Sequence, residues 1–117
     1  MNISITGSRS INDYNWFHLQ LSTIINEYSD ITFISGGAKG IDSLIKKYCI
    51  DNNIILKEIL PEWEKFGRGA GVVRNKEIIE ESDLNIIFWD GESKGSKFNI
   101  DYCRKNNKKY ILVNFKK

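Results

Sequence analysis

The chain has 117 residues, 41% of them hydrophobic, with three Trp, five Tyr and six Phe, which is enough apolar bulk for one core and too much for a disordered chain. Seventeen Lys and Arg against fifteen Asp and Glu leave a net charge of +2, short of the strongly basic balance expected of a protein that tracks a nucleic-acid backbone. No apolar run approaches the roughly 18 residues of a membrane span and no signal-like segment opens the chain, so the expectation is one cytoplasmic domain over 1–117 with no membrane partner.

Short runs rich in Ile, Val and Phe alternate with amphipathic stretches, the pattern of a parallel sheet linked by crossover helices. The first strand is predicted over 2–6 and ends in Thr6-Gly7-Ser8-Arg9, where backbone N–H groups, a hydroxyl and a guanidinium share one rim able to hold an anion. Trp16, Leu19, Ile24 and Ile25 recur at helical spacing and predict a helix over 14–28. His18 lies within that helix as the sole histidine, so no catalytic triad can be assembled.

A second strand over 31–35 runs into Ser35-Gly36-Gly37-Ala38-Lys39-Gly40, followed by a helix over 41–52 with Asp42 in its first turn. Consecutive glycines let the backbone approach a phosphate, and the helix N-terminus adds unpaired N–H donors and partial positive charge. The spacing is neither that of a Walker loop nor that of the dinucleotide fingerprint Gly-x-Gly-x-x-Gly. Asp42 has two readings, a ligand contact or a first-turn charge that complements the helix dipole.

The third strand, over 54–60, stops at Pro61, and a long irregular connection carries Trp63, Phe66 and Gly67-Arg68-Gly69. Such a loop either closes over a purine or phosphate, or packs its aromatics on the domain edge. Arg74 and Asn75 stand early in a helix over 70–82. The fourth strand, over 85–89, ends in Asp90-Gly91-Glu92-Ser93-Lys94-Gly95-Ser96, and a helix over 96–106 and a strand over 109–114 complete the chain. Cys49 and Cys103 fall in helices without metal-ligand spacing and are expected as buried free thiols. No metal and no cofactor are expected.

Five parallel strands with right-handed crossovers fit a doubly wound α/β sheet of order 3-2-1-4-5, with helices on both faces. That order, taken by analogy, sets the ends of strands one and four on either side of a topological switch point, where open α/β sheets bind ligands.

Ser35-Gly36-Gly37-Ala38-Lys39-Gly40-Ile41-Asp42, the loop from Trp63 to Gly67-Arg68, Arg74-Asn75 followed by Ile78, and Gly95-Ser96 occur in an order that resembles the stand-alone YspA-like members of the SLOG superfamily. These are Rossmann-like domains related to the Lonely-guy phosphoribohydrolases and to the DNA-processing protein of natural transformation. The resemblance implies a pocket for a nucleotide or a nucleotide derivative such as an ADP-ribose-like molecule. In it Gly36, Gly37 and Gly40 would cradle phosphate, Arg9, Arg68 and Arg74 would neutralise it, and Ser8, Ser35 and Ser96 would add hydroxyls. Gly7, Lys39, Asp42, Asn75, Asp90, Gly91 and Gly95 complete the expected lining, and the base would stack on Trp63 or Phe66.

Lonely-guy hydrolases carry a Glu where this chain has Asn99, and an amide cannot serve as an acid or base. Sensing or sequestering a ligand is therefore favoured over N-glycosidic cleavage, for which Asp42, Asp90 and Glu92 are the candidate acids. Single-stranded DNA ranks last, because the net charge disfavours a nucleic-acid partner. A small domain with a site near an open edge would also allow a homodimer or higher homo-oligomer to complete the pocket.

Overall fold

The computed structural model describes residues 1–37 and 39–115; Ala38, in the double-glycine turn, lies outside them. Five strands form one parallel sheet: β1 (Asn2–Gly7), β2 (Thr32–Ser35), β3 (Ile55–Glu58), β4 (Leu84–Trp89) and β5 (Tyr110–Asn114). The strand order is β3-β2-β1-β4-β5, as expected. The crossovers are α1 (Tyr14–Ile25), α2 (Ile41–Asn52), α4 (Ala70–Glu80) and α5 (Lys94–Lys105).

The connection after β3 is more ordered than the sequence suggests. It forms a one-turn helix, α3 (Trp63–Phe66), and a 3₁₀ turn over Gly67–Gly69. The Lys65 and Phe66 backbone N–H groups both donate to the Glu62 carbonyl, at 3.1 and 3.0 Å, and close that turn. Two apolar residues and two charged ones in a four-residue turn carry no helical periodicity, so the pattern that reveals longer helices is absent here.

Local signals set the longer helices. Asp13 caps α1 by accepting from the Trp16 N–H at 3.1 Å, which satisfies one of the orphan donors of the first turn. Asn53 ends α2 in the left-handed conformation with φ 55°, its N–H turned back to the Cys49 and Ile50 carbonyls.

The core lies on both faces of the sheet. On one face Ile3 and Ile5 of β1 and Leu84, Ile86 and Phe88 of β4 pack with Phe17 and Leu21 of α1 and Ile41, Ile45 and Tyr48 of α2. On the other, Ile87 meets Ile79 of α4 and Ile100 and Cys103 of α5. Successive residues of β4 therefore serve opposite layers, as the two-residue period of a strand requires. Both cysteines are buried free thiols, and burial pushes each up to about 11.

Phe88 is fully buried, with Phe17 and Trp16 ring centroids 4.9 and 5.9 Å away. Phe88→Ala should lower the unfolding free energy by about 3–5 kcal/mol, read from urea denaturation. A loss under about 1 kcal/mol would mean that the aromatic cluster is not the centre of this layer.

Candidate functional site

β1 lies between β2 and β4, so the chain after β1 and the chain after β4 leave the sheet side by side. The register pairs Gly7 with Phe88. Immediately beyond it, the Ser8 N–H donates to the Phe88 carbonyl at 2.9 Å, and the Asp90 N–H donates to Ser8 Oγ at 3.0 Å. Ser8 Oγ also lies 3.4 Å from Ser96 Oγ. Ser8 is fully buried and does not line the cleft above it. Its hydroxyl ties β1, β4 and α5 together at the switch point.

Asp90 fastens the next layer. Its carboxylate accepts from Ser10 Oγ at 2.6 Å and from the Glu92 and Ser93 N–H groups at 2.9 and 2.8 Å. The Ser10 bond first, and then the two backbone donors, pull its pKa down to about 2. Asp90 is thus an ionised brace between the first and fourth turns. Glu92 is exposed and outside the cleft.

Between these turns, the N-terminal end of α2 and the facing sides of α4 and α5 lies a cleft of about 570 Å³, within the size range of small-molecule sites. The structure brings Gly7, Arg9, Gly36, Lys39, Asp42, Arg68, Arg74, Asn75, Asp90, Gly95 and Ser96 into its lining. Ser35, Gly37, Gly40, Trp63 and Gly91 stand outside it, as Ser8 does. Ser35 is buried beneath the turn, and Trp63 stands exposed on α3, its ring 4.0 Å from the Cβ position of Gly71 at the cleft wall.

Arg74 is the most constrained cation of the site. Its Nη1 donates to the Gly36 carbonyl and its Nε to Asn75 Oδ1, both at 2.8 Å. Two of its five N–H donors thus fix the plane of the fork. Burial pulls the guanidinium below its ordinary value, Asp42 opposes that shift, and the like charge of Arg9 adds to it. A Cβ at Gly36 would lie 2.4 Å from Arg74 Nη1, so a side chain there would displace the guanidinium from this position. At Gly40, with φ +71°, a Cβ would lie 2.6 Å from the Arg9 backbone, so a side chain would push the two turns apart.

Ser10, Val72, Ile78, Ser93, Lys94, Phe98 and Asn99 also line the cleft. Val72, Asn75 and Ile78 lie three residues apart on α4, and Gly95, Phe98 and Asn99 share a face of α5. That spacing was legible, but it reads equally as a core stripe. Asn99 is 4% exposed, and its Oδ1 has no hydrogen-bond partner. Among the described residues no group of three or more His, Cys, Asp or Glu is placed to hold a metal ion, and no helix is long and apolar enough to cross a membrane.

The model of the YspA, cpYpsA-related SLOG family matches residues 1–66. A search of curated proteins finds no match. Among solved structures, DNA processing protein A from Streptococcus pneumoniae superposes with a TM-score of 0.75 at 13% identity, covering 95% of this chain and 49% of that one. DNA processing protein A from Helicobacter pylori, in a structure that addresses its single-stranded DNA binding mode, gives 0.72 at 19% identity, covering 96% and 64%. This chain therefore spans about half of the first protein and under two thirds of the second, and the likeness is one of fold.

These neighbours overturn the expectation that nucleic acid is disfavoured as a partner, since both process DNA by name and one is described binding a single strand. The net charge misled because it averages over the whole surface. Among the described residues, Arg9, Lys39, Arg68, Arg74 and Lys94 converge on one cleft whose carboxylates are Asp42 and Asp90, and a phosphate responds to that local field.

The Asp90 brace has a pH signature. Its folded pKa lies below the ordinary carboxylate value, so the stability it contributes is present above about pH 4 and is lost as pH falls toward about 2. Asp90→Ala should cost about 1 kcal/mol at neutral pH, the order of a lost side-chain hydrogen bond, and should flatten the acid limb of stability measured by denaturation between pH 4 and 2. An unchanged acid limb would show that the carboxylate braces nothing.

Proposed function

The chain belongs to the YspA, cpYpsA-related SLOG family, and from that premise we propose that its cleft binds a phosphate-bearing nucleotide unit. The observation that carries this reading is Arg74. Its half-buried guanidinium is fixed by the carbonyl of Gly36, at the turn leading into α2, and it lines the cleft. A planar fork held in one orientation suits bidentate recognition of phosphate, because little side-chain freedom remains to be lost on binding. Helix N-termini add backbone donors from two directions, α2 beside Lys39 and α5 beside Lys94 and Gly95.

The chemistry of the cleft favours holding a nucleotide over cleaving it. Asn99 offers an amide, and Asp90 is kept ionised by three donors. Neither supplies a proton at neutral pH. Asp42 is the remaining carboxylate at the cleft, and its charge faces Arg74.

The same phosphate grip accepts a nucleotide from two sources, a free nucleotide derivative or a unit of a single strand. The strand is favoured by the structural neighbours, and its binding would fall steeply with salt. Titration calorimetry with AMP, ADP-ribose and a short oligothymidylate separates the two sources. Arg74→Ala should weaken whichever ligand binds by about 10- to 100-fold, the effect of removing charge-assisted hydrogen bonds, while chromatography returns the ligand intact. Binding untouched by Arg74→Ala, or recovery of free base, would overturn the reading.

A further inference from the structure

The sheet has two edges, and they are built differently. β3 is bordered by β2 alone and β5 by β4 alone. An edge strand offers a row of unpaired N–H and C=O groups to any strand that comes beside it, and charged side chains or proline normally blunt that offer. β3 reads Ile-Leu-Lys-Glu and is protected in this way. Lys57 is paired with Glu81 at 2.7 Å, Glu58 stands 4.0 Å from Lys46, and Pro61 follows shortly after. β5 reads Tyr-Ile-Leu-Val-Asn, without a charge or a proline.

The register determines which backbone groups of β5 are turned outward. The Asn85 N–H donates to the Lys109 carbonyl and the Phe115 N–H to the Trp89 carbonyl, at 3.1 and 2.8 Å, and the ladder between them pairs Asn85 with Tyr110 and Trp89 with Asn114. Alternate residues of a parallel strand bond to one neighbour, so Ile111 and Val113 face β4 while Tyr110, Leu112 and Asn114 point their N–H and C=O groups away from the sheet. Among the described residues no hydrogen bond reaches the N–H of Leu112 or Asn114. The side chains reach both layers, Tyr110 and Leu112 toward Ile87 and Ile100, and Ile111 and Val113 toward the layer of α1. Four of the five residues are only half-buried.

We propose that β5 is a self-association surface, on which a second copy of this chain lays its own β5 antiparallel about a two-fold axis at Leu112, joining two sheets into one of ten strands. The strand itself argues for this occupant. With Leu112 opposite Leu112, every outward residue meets an outward residue, and three backbone-bonded pairs form. Ile111 then lies across from Val113 of the second copy, a β-branched pair, and Tyr110 across from Asn114. No like charges meet within the strand. A parallel approach would be head-to-tail and could not close. β3 does not offer the same fit: the Ile59 N–H donates to the Ser35 carbonyl, so Leu56 and Glu58 face outward, and the register that pairs both of them sets Lys57 against Lys57. The proposal is independent of what the cleft binds, and it sets the two clefts at opposite ends of the joined sheet.

Sedimentation equilibrium of the full chain from about 1 to 500 μM should show a monomer–dimer equilibrium with a micromolar constant, since a five-residue pairing is a small interface. A chain that stays monomeric over that range overturns the proposal. Amide hydrogen exchange read by NMR locates the contact in the unaltered protein. At about ten times the dimer constant, the Leu112 and Asn114 amides should exchange about fivefold more slowly than in the dilute monomer, as mass action requires, with Leu56 and Glu58 unmoved. Slowing at Leu56 and Glu58 instead, or at neither edge, overturns it. Asn114→Pro removes an outward N–H and no bond to β4, and should raise the dimer constant by about 30-fold because symmetry deletes two hydrogen bonds. Glu58→Pro, the matching change on β3, should leave it unchanged. A dimer indifferent to Asn114→Pro contradicts the pairing, and the exchange comparison decides the question even where a proline variant fails to fold.

Discussion

The position of β1 in the interior of the sheet, with β2 on one side and β4 on the other, is the constraint on which the rest of the molecule depends. Because the five strands run parallel, the turns after β1, β2 and β4 leave at one end of the sheet, and α2 and α5 begin beside the same space. Such convergence would place N–H dipoles against one another without a framework to hold them. Ser8 supplies it from below, receiving the Asp90 N–H and meeting Ser96, and Asp90 supplies it from the rim through Ser10 and the turn into α5. An open crevice of cations and helix ends is thereby kept from collapsing onto itself.

Within that frame the site stores unfavourable electrostatics locally. Arg74 is partly desolvated and close enough to Arg9 to feel its charge, and Asp42 offsets only part of the cost. Asn99 leaves an acceptor unsatisfied. A partly desolvated cation costs free energy, and an anion held beside Arg74 would relieve that cost. The lack of side chains at Gly36 and Gly40 lets the backbone and the arginines approach this closely.

The sheet was largely legible in the sequence because its information is periodic and local: apolar runs that end in glycine-bearing turns or at Pro61 set the strands within a residue or two. Gly36 and Arg74 were singled out in the sequence by their chemistry, and both line the cleft. Other roles needed three dimensions. Ser8 reads as a hydroxyl offered to a ligand, yet its burial turns it into a brace, which no neighbouring residue announces. Asp90 reads as a candidate acid until its three donors are seen. Val72, Ile78 and Phe98 carry the pattern of core residues, and only the separation of α4 from α5 makes them walls of a cleft. Net charge misjudged the partner class because a site is governed by the few charges that face it.

The central claim, that the turns at the switch point form one phosphate site, is tested most directly by proton–nitrogen NMR of the Arg74 side chain and the backbone amides during titration with inorganic phosphate. The account predicts saturable shifts at Arg74 Nε, at Gly36 and Gly37, and at the first turns of α2 and α5, with the rest of the spectrum unmoved. Shifts confined to α3, or spread over exposed lysines without saturation, would contradict it.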